Sequence, residues 1–528
     1  MSYALFYGLI LAIVVIVYLA LVFKKDMQMM QQNSYRNERY GRWLKMNNEY
    51  SSISRITDMA LALLLLSTFS RFGFVPVIVS IVLVIKIVAE LKRKYKKPVV
   101  FTKRVRRLYA MDWMAAIIII MAVYLLSDRN LIYISVGGLA VTIFSYAVTM
   151  AVNWLMKPVE ANINRGYYND AKRLLSLMPD MKIVGITGSY GKTSTKHYLN
   201  RILSEKYDVL MTPGSFNTPM GVIRTVREMM KPYNDLFIVE MGAKQPGDIK
   251  EICDLVHPEI GIITAVGEQH LESFKSIENV QRTKFELVDS LPANGFAVVN
   301  DDFLYVANRK VNNVPVKRYG VSNIKDVDYK AEDIEYSDKG TKFTVAGNDG
   351  SRLELTTKLV GECNISNLMA AVIVALYLKV PEEKIKYAVS KIEQVEHRLN
   401  LKRTPAGITI IDDAFNSNPD GSRMALDVLS RMTQGKRIVI TPGMIELGDK
   451  QSEYNRQFGE RIAKTCDVAI VVGQYNREAI MKGIESGGMP AENVHAVDTF
   501  NEAQALLQNM AVSGDTVLYE NDLPDTFK

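Results

Sequence analysis

Cysteine is scarce in this 528-residue chain: Cys253, Cys363 and Cys466 stand far apart. That spacing excludes a disulfide framework and a thiolate zinc site, and it suits a reducing compartment. A basic excess is also missing from most of the chain. Residues 1–155 carry 19 Lys+Arg against 7 Asp+Glu, whereas the remainder is slightly acidic although the whole is +7. The positive charge belongs to the hydrophobic part, so the rest has no electrostatic footprint for nucleic acid, and no nucleic-acid partner is expected. An inverted repeat is absent from the hydrophobic part as well, which argues against a transporter. The length leaves room for three or four domains.

Long apolar runs are present, and all of them come early. "YALFYGLILAIVVIVYLALVF" (3–23) has no charge and is long enough to cross a hydrocarbon core of about 30 Å. It has no basic start and no small-residue cleavage site, so it reads as an anchor rather than a removable signal. Residues 56–89, broken at "SRFGFVP", and 112–152, broken at "SDRN", read as two helical hairpins, with Arg71 at the first tip and Lys86 snorkelling. Five spans over 1–155 are expected. Loop 91–110 holds nine Lys/Arg and no acid. The positive-inside rule then places the basic loops and everything after residue 155 in the cytoplasm, with the N-terminus outside. Membrane lipids are the expected partners of this region.

The soluble portion starts with a linker helix (156–180). "MKIVGIT" then reads as a buried strand, "GSYGKTS" as a turn and "TKHYLNRILSE" as a helix. A strand–glycine loop–helix unit aims backbone N–H groups and a helix N-terminus at an anion. Gly188, Ser189, Gly191, Lys192, Thr193 and Ser194 are the candidate phosphate-binding residues, with Lys192 reaching the phosphates and the Thr193 hydroxyl on Mg²⁺. Ile186 stands where a full Walker loop has its first glycine.

"TGSYGKTST" resembles the ATP loop of the Mur ligases, which form amide bonds in cell-wall precursor synthesis, and the rest of the chain agrees in order. "LFIVEMGAKQPGDI" (236–249) resembles the MurF branch and sets Glu240 as a Mg²⁺ ligand. "GEQHLESFKSIENVQRTKFELV" (267–288) resembles the stretch in which the family has an active-site His and a carbamylated Lys, here His270 and Lys284. "GFAVVNDDF" and "GECNISNLMAA" imply Asn300 and Asn364 as nucleotide contacts, with Cys363 where His is usual. "HRL" implies Arg398 over the γ-phosphate, and "DDAFNSNP" (412–419) implies Asp413 on the nucleotide. In the same way Asn217, Asn416 and Asn418 are implied to face substrate.

The resemblance covers roughly 181–528. It implies a multi-domain protein: an α-helical transmembrane region, an α/β P-loop central domain (181–396) and a Rossmann-like α/β C-terminal domain (397–528). It implies ATP-dependent ligation through an acyl phosphate, with Lys192, His270, Lys284 and Arg398 as catalytic groups. Thr193, Glu240, His270 and Lys284 are the implied ligands of two Mg²⁺ ions. The family's UDP-binding first domain has no counterpart here. The carboxylate substrate is therefore expected to be a small molecule or lipid-linked, and the amine an amino acid or a D-Ala-D-Ala-type dipeptide. Two alternatives are a membrane polymer ligase resembling the poly-γ-glutamate enzymes and a non-catalytic envelope scaffold.

Overall fold

Apolar sequence has no side chains to spare for its backbone polar groups, so it closes its hydrogen bonds within helices. The computed structural model describes residues 3–68, 74–93, 95, 97–127, 130–337, 340–415 and 417–523. Its first seven helices are α1 (Tyr3–Gln32), α2 (Asn37–Met46), α3 (Ile53–Thr68), α4 (Val75–Lys92), α5 (Lys103–Leu126), α6 (Ile132–Ile143) and α7 (Ser145–Ser176). The predicted hairpin tips, with Arg71 and with Asp128–Arg129, lie outside the described residues. Among the described residues two helices, Phe6–Gln32 and α5, are long and apolar enough to cross a membrane. The pair α6–α7, bent by 73° at its break, makes a third if it is one span. The expected five apolar segments are all helical, but α3 has only 16 residues, and α4 carries Lys86, Glu90 and Lys92 within its 18. The linker helix expected at 156–180 is the second half of α7, which runs unbroken through Pro158.

Several interior charges of this first unit pair with one another, although among the described residues buried Asp112 is met only by the Thr149 hydroxyl. Lys86, expected to snorkel, instead pairs with buried Asp58 and donates to Ser54 O at 2.8 Å. The α6–α7 break frees carbonyls at the end of α6, and Arg55 answers them. It donates to Thr142 O (3.1 Å), Ile143 O (2.7 Å) and Ser145 Oγ (3.2 Å), with Asp26 at 3.8 Å. A cation at a helix C-terminus also meets the negative end of its dipole. Arg55→Met leaves these carbonyls without their donor and takes the arginine from buried Asp26, which keeps the Tyr40 hydroxyl. It is expected to cost about 3–5 kcal/mol, read as a lower denaturation midpoint of the purified chain in detergent.

The first compact unit ends at Arg165, and the second runs over Gly166–Asp522. The second unit holds two sheets. The first contains β1 (Lys182–Thr187), β2 (Val209–Met211), β3 (Leu236–Glu240), β4 (Ile260–Ile263), β5 (Phe296–Asn300), β6 (Val316–Gly320), β7 (Tyr329–Ser337), β8 (Gly340–Gly347) and β9 (Arg352–Thr357), in the order β2-β3-β1-β4-β5-β6-β7-β8-β9. Pairing is parallel up to β7 and antiparallel through β8 and β9. The parallel strands are buried on both faces, which is why they read as continuous apolar runs rather than alternating ones. Helix α8 (Lys192–Leu203) follows β1, α9 (Pro219–Met229) follows β2, and α10 (Ile277–Asp289) carries Lys284. Helix α11 (Glu362–Tyr377) is apolar nearly all round because it is buried against the sheet and α8.

The second sheet holds β10 (Asn400–Arg403), β11 (Thr409–Asp413), β12 (Arg437–Thr441), β13 (Val468–Val472), β14 (Val494–Val497) and β15 (Thr516–Glu520), in the order β10-β11-β15-β12-β13-β14. All but the β10–β11 pair is parallel. Helix α12 (Pro419–Ser430) follows β11. This is the doubly wound domain expected from 397 onward.

Candidate active site

The site forms at the C-terminal ends of parallel strands, where an open α/β sheet leaves its crevice. Strand β1 lies between β3 and β4, and Ile186 is in register with Glu240. The loop from Gly188 to Gly191 therefore leaves the sheet beside the acid that ends β3. Its glycines are steric necessities. A Cβ on Gly188 (φ +157°) would stand 2.1 Å from Thr264 Oγ1 and 3.0 Å from Ala265 N. One on Gly191 (φ +81°) would stand 2.2 Å from Asn367 Oδ1. The chain thus presents its bare backbone where α8 begins at Lys192, the geometry that receives an anion.

Lys192 is half-buried over this loop, and its Nζ donates to Gly188 O (2.7 Å) and Ser189 O (3.2 Å). Burial pulls its pKa down to about 8, with Arg398 adding to the effect and Glu240 opposing it. Thr193 Oγ1 lies 3.1 and 3.2 Å from the two oxygens of Glu240, and Asn217 Nδ2 donates to Glu240 Oε1 at 3.0 Å. Burial works to raise the Glu240 pKa, but Lys196 and Lys192 outweigh it and hold the carboxyl ionised.

The four expected metal ligands fall into two pairs, Thr193 with Glu240 and His270 with Lys284, the latter two within electrostatic reach of each other. Thr193 and Glu240 touch. His270 Nδ1 instead bonds Glu446 of the second sheet's domain, and Lys284 is buried in α10 within electrostatic reach of Lys192. Among the described residues no three His, Cys, Asp or Glu side chains converge on one point. The hydroxyl and carboxylate oxygens of Thr193 and Glu240 suit a hard divalent cation such as Mg²⁺. Lys284 as an amine is no ligand. Burial, then Lys192, lowers its pKa well below the lysine range, so it favours the neutral, nucleophilic form.

A cavity of about 300 Å³ opens between the two α/β domains. Its walls include Gly191, Ser194, Asn300 and Asn364 from the first domain, and Arg398, Asp413 and Asn418 from the second. Arg398 lies 4.1 Å over the Phe415 ring. Burial raises the Asp413 pKa to about 6 against the opposing pull of Arg398. Four expected contacts bond the protein itself, Asn364 among them: its Oδ1 accepts from Tyr198 OH (2.8 Å) and its Nδ2 donates to Val360 O (2.9 Å). Ser189 Oγ is buried and accepts from Gly267 N at 3.0 Å. The Asn300 amide donates to Thr264 O (2.9 Å) and Ser366 Oγ (2.8 Å). Asn418 caps α12 by accepting from Gly421 N at 2.9 Å. Ser189, Asn300 and Asn364 thereby shape the site, whereas the cap at Asn418 uses only its side-chain oxygen. Asn416 lies outside the described residues.

Residues 186–375 match the Mur ligase middle domain and 397–519 the Mur ligase glutamate ligase domain. The chain is 30% identical over 364 residues to the UDP-N-acetylmuramoyl-tripeptide–D-alanyl-D-alanine ligase of Mycobacterium bovis, covering 64% of this chain and 70% of that one. It belongs to the Mur ligase family. The enzyme of the same name from Bacillus subtilis is 28% identical, over 64% of this chain and 72% of its own. The crystal structure of MurF from Acinetobacter baumannii superposes with a TM-score of 0.61 at 26% identity, covering 67% of this chain and 77% of that one. Mur ligases are ATP-dependent amide-bond ligases, and this chain is one.

Several residues of this Mur ligase site are invisible to motif reading because their partners are remote in sequence. Tyr190 OH donates to Asp420 Oδ2 at 2.8 Å across the domain boundary. Glu446 holds His270, and Lys450 pairs with Glu268 at 2.8 Å. Lys196 forms a buried ion pair with Glu240 at 2.9 Å. Only Lys196 left a signal in the sequence: it lies four residues after Lys192 and so on the same helix face. Asn455 is fully buried, and its side chain brackets Met444 N and O. Cys363 lines the cavity, its thiol pushed up to about 12 by burial, so it is inert.

Proposed function

We propose that this Mur ligase is a membrane-anchored enzyme that phosphorylates a carboxylate with ATP and joins the resulting acyl phosphate to an amine. The analogy is with the UDP-N-acetylmuramoyl-tripeptide–D-alanyl-D-alanine ligases, and cell-envelope precursor synthesis is the setting. The observation that carries the reading is the contact of Thr193 with Glu240 beside Lys192, on the loop and helix whose Gly191 and Ser194 line the two-domain cleft.

Each residue has a chemical task. A carboxylate meeting a γ-phosphate brings negative charges together. Lys192 and Arg398 offset that charge, and the backbone of 188–193 cradles the phosphates. Asp413 and Asn364 hold the nucleoside end. Glu240 and Thr193 would hold one Mg²⁺. His270 and a carbamylated Lys284 would hold a second. Bound Mg²⁺ supplies Lewis-acid neutralisation of the transferring phosphoryl group. In the carbamylation, the neutral Lys284 Nζ attacks the carbon of CO₂ and releases one proton, which turns a useless amine into an anionic oxygen ligand. Asn217 and Asn418 would face the substrate, and Asn416 is proposed to join them from the sequence resemblance alone. Closure of the two domains excludes water, which would otherwise hydrolyse the acyl phosphate.

The apolar helices stand where the family's UDP-binding domain would be. Together with the basic loop at 91–110, they favour a membrane location with the catalytic domains in the cytoplasm. A lipid-linked or membrane-delivered carboxylate substrate follows from that location. Mass spectrometry of the product decides between single addition of an amino acid or dipeptide and repeated addition by a polymer ligase. A ladder of masses would replace the first reading by the second.

The pH profile follows from two groups. Lys192 must be charged and Asp413 ionised in the free enzyme. Lys192 loses its proton as pH rises through about 8, and Asp413 gains one as pH falls through about 6. A plot of kcat/KM for ATP is therefore expected to be bell-shaped, with limbs near those values. A flat profile from pH 5.5 to 9 would contradict both roles.

A further inference from the structure

Lys196 has no exposed side-chain surface, and none of the roles above uses it. A buried ammonium is expensive unless it is both paired and hydrogen-bonded, so its partners identify what it is for. It has two. Nζ lies 2.9 Å from Glu240 Oε2 and donates to Gly214 O at 2.5 Å. The first is the metal-binding carboxylate. The second belongs to the loop that carries Asn217.

That loop is joined to the end of β3 at further points. Glu240 N donates to Thr212 Oγ1 (3.1 Å), Asn217 Nδ2 to Glu240 Oε1 (3.0 Å), and Gly242 N to Asn217 O (2.7 Å). A Cβ on Gly242 would stand 2.8 Å from the Asn217 carboxamide, so the contact is close-packed as well as bonded. Thr193, from the phosphate loop, touches the same carboxylate. Glu240 thus stands where three things meet: the phosphate loop through Thr193, the substrate-side loop through Asn217, and α8 through Lys196.

We infer that Lys196 is a positioning residue that couples loop 212–218 to the metal-binding carboxylate, so that binding of the metal–nucleotide and ordering of the substrate loop are one event. The inference rests on the assignment of Glu240 under the proposed function. A divalent cation at Glu240 competes with Lys196 for the same negative charge. The ammonium then depends more on Gly214 O, and its hold on the loop tightens. Two positive charges sharing one carboxylate also keep the metal site from filling firmly before nucleotide phosphate arrives.

The test is hydrogen exchange of the full chain in detergent, with Mg²⁺ and ATP as probes. Peptides covering the phosphate loop (184–194) and the substrate loop (209–221) are followed. In the wild type, Mg²⁺ plus ATP is expected to slow exchange in both at least fivefold, and ATP with chelator to slow only the first. In Lys196→Met the phosphate loop is expected to keep its response, which also shows that the variant is folded, while the response of 212–218 is lost. A Lys196→Met protein that protects 212–218 as the wild type does overturns the inference. So does a wild type in which Mg²⁺ plus ATP protects the phosphate loop alone, whatever the variant does. If neither loop responds in the wild type, the assignment of Glu240 falls with it.

Discussion

Replacing Lys192 by alanine is expected to abolish ATP turnover, with a loss on the order of 10²–10³-fold or more in kcat, the size seen when one preorganised charge-stabilising donor is removed. The argument is one of place. Lys192 Nζ sits on Gly188 O and Ser189 O, at the open end of the phosphate loop. It is also the cation within reach of both Glu240 and Lys284, the centres of the two proposed metal subsites. Removing it leaves the phosphoryl group with unrelieved negative charge where the substrate carboxylate must approach. Lys192→Ala should fold normally, because the side chain bonds loop carbonyls that water can satisfy instead. Steady-state ADP formation with matched melting curves checks this. Turnover within tenfold of the wild type would remove the loop from the mechanism.

Lys284→Met is expected to separate activity from stability. Turnover should fall on the order of 10²-fold or more, because a methionine cannot become a carbamate and its metal subsite is lost. In CO₂-free buffer, where Lys284 stays an amine, stability should rise by about 1–2 kcal/mol, because an isosteric apolar side chain replaces a desolvated amine whose pKa burial has driven well below its usual range. The sign follows from that shift. A lysine whose pKa is depressed on folding opposes the folded state at every pH below its unfolded pKa, most strongly below its folded one, so removing it stabilises throughout the neutral range. The same neutral amine is what CO₂ needs. Wild-type activity is therefore expected to drop in CO₂-free buffer and return with bicarbonate, while Lys284→Met does not respond. Mass spectrometry of the native chain should show one added CO₂. Equal stability of the two proteins would mean that Lys284 already carries a compensating partner.

How much of this could be read from the sequence depends on how far apart the cooperating residues lie. The phosphate loop, the acid closing β3 and the string around His270 are contiguous, so they could be proposed from the loop's own residue pattern and from resemblance to the family's motifs. Strand β1 was legible because a strand buried on both faces is apolar without interruption. Pairs joined only by the fold were not legible. Tyr190 and Asp420 are 230 residues apart, and His270 and Glu446 are 176 apart. Ser189 matched a motif but spends its hydroxyl on Gly267, which no local pattern reveals. In the apolar region hydropathy located the helices. It could not foresee that Lys86 would turn inward to Asp58, or that Arg55 would cap a helix broken at Phe144. Those outcomes depend on which buried groups would otherwise go unpaired.

In the proposed function, one cleft couples ATP cleavage to acid–amine joining. The most direct measurement is ADP release by the full-length chain in native membranes, supplied with envelope-precursor carboxylates and D- or L-amino acids or dipeptides, singly and together. The account predicts ADP release only when both substrates are present, one ADP per amide bond formed, and none from Lys192→Ala membranes. Equal ADP release with neither substrate, or amide formation that survives Lys192→Ala, would contradict it.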